Sequence, residues 1–364
     1  MSDTPAPTPL SSADARLQQL TLWLEHVFAN QLFSLDSLAG DASARRYHRL
    51  QLQATENKAG GDYMVMDSAD EQEALKQFLA VATLMRPVVN VPDIFAEDVD
   101  KGFLVLQDFG GVEFAHLLTG ADATQVDGHY TAAMQSLAAL QTLPISINDT
   151  LVLPLYDAAL LTQEMQLFRD WFVPHIDALL DNTLWENVLN ALVTQITNQP
   201  QVIVHRDYHS RNLMQDRADS ERLGIIDFQD AVIGAYSYDF VSLVRDAYVD
   251  WSEAQITAWT EAFWQLQQMQ GVPSAATLEQ FTQDVMVMGV QRHLKVLGIF
   301  VRLFKRDGKA RYLNDIPKVM RDLLVELEWL SKHGDASIKQ AVTPFYQHLQ
   351  THIYPAYAAK FLSE

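Results

Sequence analysis

Residues 201–231 constrain this chain more than any other stretch. They read Gln-Val-Ile-Val-His-Arg-Asp-Tyr-His-Ser-Arg-Asn-Leu-Met, then Gln-Asp-Arg-Ala-Asp-Ser-Glu-Arg, then Leu-Gly-Ile-Ile-Asp-Phe-Gln-Asp-Ala. By composition, residues 202–204 form a short buried strand. Residues 212–215 and 223–227 flank a polar turn, 216–222, and so predict the two arms of a hairpin. Antiparallel pairing sets the start of one arm against the end of the other. Asn212 and Asp227 therefore become neighbours although they lie fifteen positions apart. Asp207 falls in the loop just before that pair.

Two carboxylates and an amide around one turn suit phosphoryl transfer. That reaction needs little covalent help from the protein; it needs a positioned nucleophile and divalent cations that neutralise phosphate oxygens. Mg²⁺ takes a few protein oxygens and completes its octahedron with phosphates and water. Asp227 and Asn212 supply such oxygens, and Asp207 can orient a hydroxyl and accept its proton. The order His205-Arg206-Asp207, four residues, then Asn212 fills every fixed position of the catalytic-loop frame H-R-D-x-x-x-x-N, and Asp227-Phe228 stands where a metal-binding pair belongs. The plain alternative is that these polar residues only satisfy turns, where Asp and Asn are common.

Around this hairpin the chain changes texture twice. The opening ten residues are rich in Pro and Thr. A helix follows, capped by Ser11 or Ser12, with Leu17, Leu20, Leu24 and Phe28 at helical spacing. From Leu38 to Phe109, short strand-like runs at 47–52, 63–66 and 103–107 alternate with turn signals, interrupted by one helix over 69–85. Beyond Asp108-Phe109-Gly110-Gly111 helical patterns dominate, at 128–143, 157–172, 184–197, 252–271 and 277–306. The expected domains are a tail and helix (1–37), a small sheet-rich lobe (38–109) and a large helical lobe carrying the hairpin (110–364), an α+β arrangement.

Composition removes several function classes. Forty-six acidic against 26 basic residues give a formal charge of −20. Such a surface repels nucleic acid and anionic membrane, so neither is expected as a partner. The chain has no cysteine, hence no disulfide, thiolate metal site or thiol nucleophile. No apolar run reaches membrane-span length, and the first residues carry neither a basic nor an apolar signal region. A cytoplasmic, monomeric protein is expected.

With these residues in place, the chain resembles the aminoglycoside phosphotransferase and choline kinase superfamily from about Leu38 onward. The resemblance implies a two-lobed, protein-kinase-like fold binding ATP and Mg²⁺, with Asp207 as base and Asn212 and Asp227 as metal ligands. No long activation loop fits between Asp227 and the helix beginning near Tyr238, and no Ala-Pro-Glu element follows, so the chain is not a protein kinase. The runs His205 to Met214, Ile226 to Val232 and Tyr238 to Asp246 look like bacterial amino-sugar kinases of cell-wall recycling. Those enzymes phosphorylate the anomeric hydroxyl of N-acetylmuramate and N-acetylglucosamine. Kinases of aminoglycosides, choline or another small alcohol are the alternative substrate classes, and a catalytically silent kinase-like binding protein is the alternative from another class.

The resemblance also sets expectations for other positions. A nucleotide loop over 38–47 would use Gly40 and Ser43 for close backbone approach to phosphates; an ordinary turn is the bland alternative. The third strand, 62–67, lacks the lysine kinases usually present to the phosphates. Arg45 or Arg46 is expected to replace it, with Lys76 second, against the alternative of solvated surface charges. Gln107 and Asp108 would offer hinge backbone to adenine. His205 is expected to pack beneath the Asp227-Phe228 turn. Asp239 would clamp catalytic-loop amides, or serve as a helix N-cap, or both. His209, Asp230 and Arg245 are candidate sugar contacts; for His209 the alternative is plain exposure, and for Asp230 and Arg245 a structural ion pair.

Overall fold

A computed structural model describes residues 12–29, 31–38, 45–69, 71–145 and 153–362. The chain divides into two compact units. One comprises residues up to Thr83 together with Val91–Gly110; the other comprises Leu84–Asn90 and everything from Gly111.

In the first unit the elements are α1 (Ser12–Val27), β1 (Phe33–Ser37), β2 (Arg46–Leu52), β3 (Gly61–Asp67), α2 (Gln72–Met85), β4 (Ile94–Asp98) and β5 (Phe103–Gln107). The five strands form one antiparallel sheet in the order β1-β2-β3-β5-β4. Period-2 alternation puts Leu50, Val65, Phe103 and Val105 together, and α1 lays Leu20, Trp23 and Leu24 into that cluster. Leu17, expected on this apolar stripe, is instead exposed, and Trp23 occupies the core. Arg16 fixes the helix at its polar edge. Its guanidinium bonds the buried Asp67 carboxylate at 2.6 and 2.9 Å and lies 4.1 Å over the Phe103 ring. The helix assigned by sequence to a separate 1–37 segment thus packs on the sheet. The helix expected from Ala69 starts at Gln72, because Ala69 takes a positive φ of 34° in the preceding turn.

The second unit holds helices α3 (Phe114–Leu118), α4 (Ala123–Gln141), α5 (Ala158–Leu167), α6 (Val173–His175), α7 (Asn182–Thr197), α8 (Tyr238–Val244), α9 (Glu253–Gln270), α10 (Leu278–Asp307), α11 (Ile316–His333), α12 (Ala336–His348) and α13 (Tyr354–Phe361). Its strands are β6 (Gln201–Val204), β7 (Leu213–Asp216), β8 (Asp219–Ile225) and β9 (Val232–Ala235), paired β6 with β9 and β7 with β8. The predicted helices appear with their caps: Ser252 and Thr277 accept at N-termini, and Gly271 closes α9 in the left-handed region at φ 67°. The segment expected as one helix over 157–172 passes from α5 into a π-turn at Phe168–Phe172. The 30-residue α10 is nearly all buried along one face and lies against α5, α7, α8 and α11. Close approach explains two of its glycines: a Cβ at Gly298 would collide with the Leu167 backbone, and one at Gly289 with the Glu326 carboxylate.

The hairpin is tighter than sequence suggests. Leu213 pairs with Ile225 and Gln215 with Leu223, but Asp216 then pairs with Asp219, leaving Arg217 and Ala218 as the turn. Residues 219–222, expected within the turn, are the exposed start of β8. Their charged sequence hides the strand, and the Asp216 carboxylate takes the Ala218 amide at 2.9 Å to close the corner.

Candidate active site

Strand β6 delivers the chain to His205, where the backbone turns sharply. Arg206 has φ 77°, a region L-residues enter only when surroundings enforce it. Asp239, fully buried in the first turn of α8, supplies that enforcement. Its carboxylate accepts the amides of His205 at 2.6 Å and Arg206 at 3.0 Å. From the other side, Arg292 of α10 donates to the Arg206 carbonyl at 3.2 Å and to Ser242 Oγ at 2.7 Å. Asp239 therefore performs the clamping expected of it. It does not cap α8: Ser237 holds the cap position, and its hydroxyl goes to Gln199 instead. Burial pushes the Asp239 carboxyl up to about 7, against the opposing pull of the two amides and Arg292.

His205 is fully buried beneath the second turn. Its Nε2 meets the Ile226 carbonyl at 3.0 Å and its Nδ1 accepts the Asp207 amide at 3.3 Å. These partners define a neutral Nε2–H tautomer, and burial lowers the imidazole accordingly. The ring ties the loop of Asp207 to the strand end that carries Asp227.

Asn212 and Asp227 meet as hairpin geometry requires. The Ile226 amide donates to the Asn212 carbonyl at 3.0 Å, and Asn212 Nδ2 lies 3.5 Å from Asp227 Oδ2. Asn212 Nδ2 also donates to the Asp207 carbonyl at 3.0 Å, which joins all three residues. Asp227 takes φ 63°, exposing its carboxylate, and Gln229 Nε2 holds Oδ1 at 2.9 Å. Burial would raise the Asp207 carboxyl, but Lys295 foremost, then His209 and Arg292, outweigh it and hold the group below the ordinary carboxylate range.

Lys295 belongs to a cluster that sequence reading missed. Its ammonium contacts Glu164 Oε1 at 3.0 Å and the Tyr238 hydroxyl at 2.9 Å, while Arg206 reaches the same Glu164 oxygen at 2.9 Å. The Tyr156 hydroxyl bonds the other oxygen of Glu164. A basic pair, Arg292 and Lys295, at i and i+3 on an apolar helix was the available signal. Together Asp207, His209, Arg292, Lys295, Tyr248 and Phe300 line part of a cavity of about 190 Å³.

The remaining expectations fare unevenly. His209 reaches this cavity, and its buried Nδ1 has no hydrogen-bond partner among the described residues. Asp230 is exposed, with Gln229 Nε2 at 3.4 Å from its carboxylate. Arg245 lines the cavity and is ion-paired: Glu253 takes it bidentately at 2.8 and 2.9 Å, and Glu326 stands 3.1 Å from Nε. The structural ion pair expected as the alternative reading of Arg245 is present. Trp259 is buried and stacked on Tyr130, with ring centroids 3.9 Å apart.

In the first unit, Gly40 and Ser43 lie outside the described residues. Arg45 has Glu71 at 3.7 Å, and Arg46 opens β2 as an exposed residue opposite Asp67. Lys76 is exposed and pairs with Glu73 on its own helix. Gln107 ends β5, and its amide donates to the Asp93 carbonyl at 2.8 Å. The buried Asp108 carboxylate takes Arg49 Nε at 2.8 Å and the Gly110 amide at 2.8 Å. Arg49, at a mid-strand position in β2, was not foreseen.

Fold and site together describe a kinase-like phosphotransferase. The chain belongs to the phosphotransferase enzyme family (APH), whose model matches residues 34–276. It is 40% identical over 321 residues to the N-acetylmuramate/N-acetylglucosamine kinase of Pseudomonas putida, covering 84% of this chain and 90% of that one. The protein of the same name from Pseudomonas aeruginosa is 38% identical over 330 residues, covering 86% and 92%. Among solved structures, choline kinase from Streptococcus pneumoniae superimposes with a TM-score of 0.54 at 14% identity, over 85% of this chain and 99% of that one, a likeness of fold. Among the described residues, no helix is long and apolar enough to cross a membrane.

Proposed function

We propose that this phosphotransferase moves the γ-phosphoryl group of ATP, with Mg²⁺, onto the anomeric hydroxyl of N-acetylmuramate and N-acetylglucosamine, serving cytoplasmic recycling of cell-wall sugars. The observation that carries the chemistry is the joining of Asp207, Asn212 and Asp227 through one amide, Asn212 Nδ2. Relatives of that printed name, at 40% and 38% identity over most of both chains, support the choice of sugar.

The residues present fit a magnesium ion. Asn212 spends its Nδ2 on the Asp207 carbonyl, which fixes the amide so that Oδ1 is left as a ligand, and Asp227 is an exposed carboxylate held at one oxygen. Bound there, Mg²⁺ would offset the charge of the phosphate oxygens. Asp207, kept ionised by Lys295 and its neighbours, orients the sugar hydroxyl and takes its proton. The sugar oxygen then bonds to the γ-phosphorus as the bond to the ADP oxygen breaks, giving a sugar 1-phosphate and ADP. Arg45 or Arg46 remains the proposed substitute for the absent strand lysine, with backbone at Gln107 and Asp108 for adenine.

An ATP-consumption screen over N-acetylmuramate, N-acetylglucosamine, choline and an aminoglycoside tests the reading. The expected result is turnover of the two sugars alone, with an acid-labile anomeric phosphate by phosphorus NMR. Turnover confined to choline or the aminoglycoside would redirect the substrate assignment, and turnover of none would overturn the sugar assignment and leave another small alcohol or a catalytically silent protein as the readings.

A further inference from the structure

N-acetylmuramate differs from N-acetylglucosamine by a lactyl ether on O3, whose carboxylate is the only charge separating the two acceptors. A protein of formal charge −20 must meet that anion with a local cation. Three cations line the cavity beside Asp207, and each is engaged. Arg245 is held by Glu253 and Glu326, Lys295 by Glu164 and Tyr238, and Arg292 by the Arg206 carbonyl and Ser242.

Arg211 is different. It stands at the corner of a turn closed by the Asn212 amide on the His209 carbonyl at 2.9 Å. Its guanidinium lies 3.6 Å over the ring of Tyr248, a cavity wall residue, and is exposed. Among the described residues it makes no hydrogen bond and no ion pair. The carboxylates that act with it on Tyr248 leave it so. Asp246 is occupied by the Ser210 and Tyr248 amides, each at 2.9 Å, and Asp315 acts on it only through space. Tyr248 is itself fixed, by that amide bond and by the edge contact of His209 at 5.6 Å. Stacking holds the guanidinium plane while leaving its donors available, the preorganisation a bidentate carboxylate contact needs.

We propose that Arg211, held on Tyr248, receives the lactyl carboxylate and so discriminates anionic N-acetylmuramate from neutral N-acetylglucosamine. This rests on the reading of the acceptor given above. The test compares kcat/KM for both sugars in the wild type, Arg211→Met and Arg211→Lys. Losing a charged hydrogen-bonded contact is expected to lower Arg211→Met on N-acetylmuramate by about 10- to 100-fold, chiefly through KM. Turnover of N-acetylglucosamine by the same variant should stay within about 2-fold, which also shows that it folds; Arg211→Lys should recover part of the loss. Equal losses on both sugars, or no loss on either, would overturn the assignment. A wild type inert toward both would remove the parent reading and this one with it.

Discussion

Arg206 and Asp227 both sit at positive φ, 77° and 63°, among the residues proposed to carry the chemistry. Each such conformation costs on the order of 1–3 kcal/mol and persists only where neighbours over-determine it. For Arg206 those neighbours are Asp239 and Arg292, one holding amides and the other a carbonyl. Asp239 has a raised folded-state value, about 7, so its stabilising contribution is full below its unfolded value and is lost as pH rises through about 7. In Asp239→Asn the thermal midpoint should therefore vary less with pH across that window than in the wild type; an unchanged slope would contradict the assignment. Asp207 behaves oppositely. Its value is depressed, so its contribution is present above the unfolded value and is lost only as pH falls through the lower folded one. No acid limb in kcat/KM is expected from Asp207 between about pH 5 and 8. Lys295→Met should move that limb upward, and a pH profile identical to wild type would show that Lys295 does not hold the base ionised.

At the scale of elements, legibility followed burial. Strands β2, β3 and β5 lie inside the sheet and announce themselves by apolar alternation, whereas β1 and β4 are its edges and went unread. Phe33 to Ser37 and Ile94 to Asp98 each keep alternate side chains half exposed, so polar and acidic residues dilute the strand pattern. Strand β9 was missed for another reason: Val232 to Ala235 is short, contains Gly234, and gains its partner β6 from thirty positions upstream. The hairpin was legible because its turn residues and flanking apolar runs are all local. Helix α1 was legible as a helix but not as a part of the sheet unit, since the Trp23 and Arg16 contacts are made by distant strands. Leu24→Ala, which empties a fully buried position in that contact, is expected to cost about 2–5 kcal/mol in chemical denaturation. A change below about 0.5 kcal/mol would mean that α1 is not docked on the sheet.

For the molecule as a whole, the meeting of Asp207, Asn212 and Asp227 was readable because a fixed motif lies on a hairpin whose register follows from pairing. The flanking cluster of Glu164, Arg206, Arg292 and Lys295 was not, because it joins α5, the loop after β6 and α10 across up to 131 positions of sequence. The partners of Arg245 were hidden for the same reason: Glu253 and Glu326 come from α9 and α11. The proposed transfer needs a divalent ion, so chelation with EDTA should abolish turnover and excess Mg²⁺ should restore it; activity that survives chelation would contradict the roles proposed for Asn212 and Asp227. The most direct test is the turnover of Asp207→Asn with Mg·ATP and N-acetylmuramate. With its thermal midpoint near that of the wild type, the variant should lose about 10²- to 10⁴-fold in kcat. Turnover equal to wild type would mean that Asp207 takes no proton and that the chemistry lies elsewhere.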